Sequence, residues 1–179
     1  KEKVKTMMSV PAMLAVMLKV VQQIEVDYSS LRNFTCGASP VPKQLIDAYS
    51  QIGIDVQQVY GITEYTGAVS FWKKEMNPLK GDSMGVPVFH GDVKIEDLIT
   101  GEELPNSHDG EILCRGPQVF KGYWNNPEES SKVLADGWYR SGDVGRIDED
   151  GFLYVIDRLK DVIVSGGENI YSAEVEAVL

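Results

Sequence analysis

Ile54-Asp55-Val56-Gln57-Gln58-Val59-Tyr60-Gly61-Ile62-Thr63-Glu64 is the stretch that decides the fold class. Ile54 to Val59 reads as a half-buried strand, with apolar and polar residues alternating from Ile54 to Gln57, so Tyr60-Gly61-Ile62-Thr63-Glu64 falls at that strand's C-terminal end. Just upstream, Gly53 stops a helical run over Lys43–Ile52. Before that helix, Leu31 to Cys36 reads as a short strand running into Gly37-Ala38-Ser39-Pro40. Strand, helix and strand form a βαβ unit, for which parallel pairing and a right-handed crossover are the default. Gly37, Ala38 and Ser39 then sit at one strand end, and Tyr60, Gly61 and Ile62 at its neighbour's. That is the crevice in which open α/β sheets bind ligands.

The residue types suit a nucleotide. Tyr60 offers a flat face to a base, worth roughly 1–3 kcal/mol by analogy with single-stranded nucleic-acid binding. Gly61 lets ligand and backbone approach closely. The Thr63 hydroxyl can bond a phosphate oxygen, and Glu64 is a hard oxygen ligand of the kind Mg²⁺ accepts alongside substrate phosphates. Taken alone, these segments are more simply a strand-to-turn junction and a helix start.

A second pair of segments lies far downstream. Tyr139-Arg140-Ser141-Gly142-Asp143 and Asp157-Arg158-Leu159-Lys160-Asp161 flank Asp148 to Ile156, which reads as a turn feeding an apolar strand. A strand after Gly151 carries Arg158 back beside Asp143. An ionised Asp is acceptor-only and suits a pair of sugar hydroxyls; the five-donor fork of an Arg suits hydroxyls and phosphate oxygens. By themselves the two residues read as a surface ion pair across a hairpin, worth about 0–1 kcal/mol.

Read together, the segments resemble the adenylate-forming enzyme superfamily of acyl- and aryl-CoA synthetases, luciferase-like enzymes and peptide-synthetase adenylation domains. The likeness runs in order through Cys36-Gly-Ala-Ser-Pro-Val-Pro42, Tyr60-Gly-Ile-Thr-Glu64, Gly110-Glu-Ile-Leu-Cys-Arg-Gly-Pro117, Lys121-Gly-Tyr-Trp124, Tyr139 to Asp143 and Asp157 to Asp161. Each piece is weak, and their common order is specific. The resemblance implies that Gly37, Ala38, Ser39, Tyr60, Gly61, Ile62, Thr63, Asp143 and Arg158 border ATP or AMP. Thr63 and Glu64 then act catalytically, with Glu64 on Mg²⁺. It also implies a hinge at Lys160 and a loop, Ser165-Gly166-Gly167-Glu168, that serves the second half-reaction.

Composition bounds the alternatives. The 179 residues suit one or two small domains, and 43% hydrophobic with 25% charged residues is ordinary for a soluble globular chain. Seventeen basic against 27 acidic residues give a net charge of −10, which argues against a nucleic-acid surface. Cys36 and Cys114 lack metal-ligand spacing and read as buried, reduced thiols of a cytoplasmic protein. The chain starts at Lys1 with no signal-peptide layout. The apolar run from Met7 to Val21 is too short to cross a bilayer and reads as a buried helix, Val10–Gln23, with Pro11 in its first turn. Any membrane contact would be peripheral.

The expected fold is α/β, the end of a doubly wound sheet (1–83) followed by a small distorted antiparallel β-barrel (84–159). The start of a small α+β C-terminal domain would occupy 160–179. Gly67–Trp72 is another strand. The barrel strands are Val86–Phe89, Val93–Glu96, Glu111–Arg115, Trp138–Arg140, Val144–Asp148 and Phe152–Asp157. One helix, Pro127–Ala135, interrupts them, with Asn126 as N-cap. After the hinge come a strand, Asp161–Ser165, and a helix, Ala173–Glu176, capped by Ser172. Trp124 and Trp138 read as barrel core, His90 and His108 as ordinary turn residues, and the acid runs at 102–103, 128–129 and 148–150 as solvated.

Two family features are missing, the phosphate loop upstream and the catalytic lysine near the C-terminus, so the chain reads as a piece of a longer enzyme. The expected parent is an ATP-dependent acyl-CoA synthetase acting on a fatty or aryl acid with coenzyme A. Its alternatives are a carrier-loading or luciferase-like branch, and a non-catalytic module that binds a nucleotide or a partner protein.

Overall fold

The computed structural model describes all residues except 1, 26, 166, 167, 173, 174, 176, 177 and 179. A first sheet has the order β1-β2-β3-β4-β5. Its strands are β1 (Thr6–Ser9), β2 (Asn33–Cys36), β3 (Asp55–Ile62), β4 (Gly67–Trp72) and β5 (Val86–Pro87). The first three run parallel, and β4 and β5 antiparallel. Helices α1 (Pro11–Gln23) and α2 (Lys43–Gln51) are the crossovers, tied together where the Tyr49 hydroxyl donates to the Leu14 carbonyl at 2.8 Å. Leu14, Phe34, Ile46, Tyr49, Val56 and Trp72 form the core beneath them.

A second, curled antiparallel sheet has the order β10-β9-β7-β6. It comprises β6 (Asp92–Glu96), β7 (Gly110–Arg115), β9 (Trp138–Ile147) and β10 (Leu153–Arg158), with β8 (Leu134–Ala135) hairpinned onto β9. Its apolar face packs on the first sheet through Tyr60, Tyr65, Val69, Met84, Ile95, Ile112, Cys114 and Leu153. The sheets are also stitched through backbone, Met84 N–H to Leu153 O and Leu153 N–H to Gly85 O, each 2.7 Å. Gly85 is required there: at φ +78°, a Cβ would stand 2.0 Å from the Phe71 carbonyl oxygen. Helix α3 (Pro127–Val133) carries Asn126 as its N-cap, accepting from Glu129 N–H. Beyond β10 a 3₁₀ turn, Leu159–Asp161, leads to the hairpin β11 (Ile163–Ser165) and β12 (Glu168–Ile170).

The mixed α/β class stands, and several details differ from the sequence reading. The run from Met7 is not all helix: its first residues form β1 beside β2, and Pro11 starts α1. That helix is buried along one stripe around Leu14, while Met13, Val16 and Val20 are exposed. The Val86–Phe89 strand pairs with β4 in the first sheet rather than with the barrel strands. Trp138–Arg140 and Val144–Asp148 are one continuous strand, because Gly142 at φ +69° absorbs the irregularity between them. The helix expected through Ala135 ends at Val133, and the next two residues pair with β9.

Trp124 is not core: it stands 91% exposed in the turn before α3, where Asn125 adopts positive φ. Trp138 lies between Lys94 and Arg115, which stack on its ring at 4.9 and 4.6 Å. Asp148 is not merely solvated. It closes the β9–β10 turn by accepting from Asp150 and Phe152 N–H, and it pairs with Lys80. Of the helix expected over Ala173–Glu176, residues 173, 174 and 176 lie outside the described residues, as do Gly166 and Gly167 of the loop.

Candidate functional site

A cavity of about 510 Å³ opens where the carboxyl ends of β2 and β3 face β9 and β10. Tyr60, Asp143 and Arg158 meet in its wall. The Tyr60 hydroxyl donates to Asp143 Oδ2 at 2.5 Å, and Arg158 Nε reaches Asp143 Oδ1 at 2.9 Å. Register explains the second contact, since β10 pairs antiparallel with β9 and sets Arg158 opposite Asp143. Tyr60 points the same way as Val56 and Gln58 on β3, into the space between the sheets.

The three groups differ in environment. Asp143 is 4% exposed, and Arg158 is largely in solvent. Burial pushes the Asp143 carboxyl above its ordinary value, while Tyr60 and Arg158 pull it partly back. Burial and the Asp143 charge together drive the Tyr60 hydroxyl far up, so it remains a donor. A buried carboxylate at a cavity wall is a ready acceptor for hydroxyl groups, and the guanidinium beside it meets Asp143 through Nε and has further N–H donors for oxygen atoms.

Ala38, Ser39, Gly61, Ile62, Thr63 and Glu64 line the same cavity, so nearly all the residues singled out from the sequence converge there. Gly37 does not reach its wall. It packs on β3, where a Cβ would stand 2.8 Å from the Val59 carbonyl oxygen. The loop carrying Ala38 and Ser39 is held from below by Gln58, which is 1% exposed. Its Oε1 accepts from Val41 N–H at 2.8 Å, and its Nε2 donates to the Gly81 and Ser83 carbonyls at 2.6 and 2.9 Å. Sequence reasoning missed Gln58, as it missed the lining residues Met84, Tyr139, Ser141 and Asp157.

Glu64 is half-buried at the cavity wall and accepts from the Tyr123 hydroxyl at 2.9 Å. No cluster of three or more potential metal ligands occurs among the described residues. One carboxylate at the cavity edge nevertheless fits Mg²⁺, which is commonly held by one or two carboxylates and completes its shell with phosphate and water oxygens. Lys160 is exposed in the turn after β10. Among the described residues, Ser165 and Glu168 close the β11–β12 pairing. Cys36 and Cys114 are buried and free, and burial pushes the Cys114 thiol up to about 12. No helix among the described residues is long and apolar enough to cross a membrane.

On the far side of β3 lies an apolar groove lined by Met8, Val10, Met13, Val59, Ile62 and Ala68. It shares Ala38, Val59, Gly61 and Ile62 with the first cavity, so the two hollows meet at Gly61.

The family model described as "AMP-binding enzyme" matches residues 1–124. The chain belongs to the AMP-binding enzyme family. Among its relatives, a putative acyl-CoA ligase of Bacillus subtilis is 44% identical, over 99% of this chain and 35% of the relative. A long-chain-fatty-acid–CoA ligase of Mycobacterium tuberculosis is 38% identical, over 96% of this chain and 34% of that protein. The O-succinylbenzoate coenzyme A synthetase of Bacillus subtilis, solved in complex with AMP, superposes with a TM-score of 0.88 at 37% identity. That match covers 99% of this chain and 36% of the synthetase. The chain thus spans about a third of the length of the curated relatives it matches.

Proposed function

We propose that this chain supplies the nucleotide-binding wall of an ATP-dependent acyl-CoA synthetase. The observation that carries the reading is the contact of Tyr60, Asp143 and Arg158 around one cavity, on a chain of the AMP-binding family. In the proposed reaction a carboxylate oxygen forms a bond to the α-phosphorus of ATP and pyrophosphate leaves. The thiol of coenzyme A then adds to the acyl carbon, loses its proton and expels AMP.

The residues divide the work by position. Tyr60 presents its ring to adenine opposite the Ala38-Ser39 loop. Asp143 accepts the ribose hydroxyls, and Arg158 donates to ribose or phosphate oxygens. Thr63 donates to the α-phosphate. Glu64 holds Mg²⁺, which when bound neutralises phosphate charge. Such catalysis rests on positioning and charge stabilisation rather than on covalent chemistry by the protein. The adjoining groove supports a fatty or aryl acid: its side chains carry no charge, and it opens at Gly61 onto the place where the carboxylate must meet the α-phosphate.

Residues 1–83 and 84–159 then act as two halves of one nucleotide-binding body, and 160–179 begin a C-terminal domain that turns about Lys160. The loop at Ser165–Glu168 moves with that domain. Free, buried cysteines support a cytoplasmic setting. The test is carboxylate-dependent exchange of pyrophosphate into ATP by the enzyme that carries this chain, set beside thermal stabilisation of the 179-residue chain by AMP. Exchange with both fatty and aryl acids assayed supports the synthetase. Stabilisation without exchange supports a binding module instead, and the absence of both stabilisation and exchange overturns the nucleotide reading.

A further inference from the structure

The second sheet buries two carboxylates that the nucleotide reading does not use. Glu96 on β6 and Glu111 on β7 are 4% and 8% exposed, and both face Arg140 on β9. Arg140 Nη2 bonds Glu96 Oε1, and Arg140 Nη1 bonds Glu111 Oε2 at 2.7 Å. Glu96 is completed by Lys94 at 3.3 Å. Glu111 is completed differently, for its Oε1 accepts the backbone N–H of Gly142 at 3.2 Å.

One carboxylate therefore holds both Arg140 and Gly142, the residues on either side of Ser141. This is an irregular place: the β7–β9 register shifts between Glu111 and Leu113, and Gly142 sits at φ +69°. The next residue is Asp143, whose own N–H donates to Ser141 Oγ at 3.0 Å. A regular strand alternates its side chains between two faces, so a change at the irregularity redirects every residue after it. Glu111 bonds the N–H of the left-handed residue there.

We propose that Glu111 is a positioning residue, which pins the Arg140–Gly142 bend and so aims the Asp143 carboxylate into the cavity. The inference rests on the reading of Asp143 as the ribose acceptor. Glu96 is the internal control, because it shares Arg140 but does not touch Gly142.

The experiment compares AMP with 2′,3′-dideoxy-AMP on the full chain by calorimetric titration, for wild type, Asp143→Asn, Glu96→Gln and Glu111→Gln. Both Glu→Gln changes keep side-chain volume and remove one carboxylate from Arg140. The two contacts use separate oxygens, Oε2 for Arg140 and Oε1 for Gly142, and a glutamine at 111 cannot keep both in place, since one of its two arms is a donor. Wild type is expected to prefer AMP by about tenfold or more, the size of a charge-assisted hydrogen bond. Asp143→Asn and Glu111→Gln are expected to narrow that preference to about threefold or less, while Glu96→Gln keeps it. Thermal melts of all four show which of them fold.

A wild-type preference that Asp143→Asn removes and Glu111→Gln leaves intact overturns the positioning role alone. Equal losses in Glu96→Gln and Glu111→Gln overturn it too, by showing general loosening of the sheet. No wild-type preference overturns the ribose reading, and the positioning role with it. If Glu111→Gln does not fold, Glu111→Asp takes its place: it keeps the charge but shortens the reach by one carbon, and an unchanged preference overturns the inference.

Discussion

Replacing Gln58 with Leu tests whether the floor of the cavity is held as described. The change keeps the side chain's approximate volume and its buried position on β3 but removes three hydrogen bonds, to Val41 N–H and to the Gly81 and Ser83 carbonyls. Each buried group left without a partner costs about 1–3 kcal/mol. The extra apolar side chain returns about 1.5–3 kcal/mol of transfer free energy. The expected net loss is about 3 kcal/mol, a large share of the 5–15 kcal/mol typical of a folded domain. Urea unfolding followed by far-UV circular dichroism measures it, with an unchanged m-value showing that the unfolded state is unaffected. Nucleotide affinity should fall as well, because Val41 anchors the loop that carries Ala38 and Ser39. A loss below about 1 kcal/mol in a variant that still folds would refute the claim that this glutamine staples the two loops together.

Affinity for AMP should weaken as pH falls, starting above the range of an exposed aspartate, because burial raises the Asp143 pKa and protonation removes a hydroxyl acceptor. Titrations across the acid range check this, and Asp143→Asn should flatten the profile. Folding stability carries the opposite sign for this group. Its contribution is fully present below the ordinary value of 3.8 and is lost as pH rises through the raised folded value. Gly145→Ala should destabilise by about 3 kcal/mol, the upper end of overpacking costs. A Cβ there would stand 2.2 Å from the Tyr154 carbonyl oxygen and 2.7 Å from Ile112 Cδ1. An unchanged melting temperature would contradict the packing described at that crossing.

The parts of the fold that were legible in the sequence are those governed by local rules. Alternation from Ile54 to Gln57 placed β3, Gly53 ended α2, and the turn at Asp150-Gly151 returned a strand whose register sets Arg158 against Asp143. What escaped depends on partners distant in the chain. Periodicity identifies Val86 as a strand residue but says nothing about which sheet takes it, and β5 joined β4. Thr6 to Ser9 is too short and too uniform to announce a strand, and pairing with β2 makes it one. Gln58 occupies a position the alternation marks as inward, yet its polarity suggests solvent. Only the three backbone groups brought to it by the loops at Val41 and Gly81–Ser83 make its burial tolerable. Glu96 and Glu111 look like surface charges on edge-like strands until Arg140 arrives from β9. Tyr60 and Arg158 were readable as site candidates because each lies at or near a strand end, whereas Asp143 lies mid-strand in β9 and was legible through its own motif and the hairpin that returns Arg158 to it.

In the proposed function, one hollow between the two sheets receives an adenosine nucleotide. Intermolecular NOEs between AMP and the isotope-labelled chain test it most directly. Contacts are expected from adenine protons to the Tyr60 ring and the Ala38 methyl group, and from ribose protons to the Asp143 β-protons and the Arg158 side chain. AMP that binds with contacts elsewhere, or that shows none at saturating concentration, would contradict it.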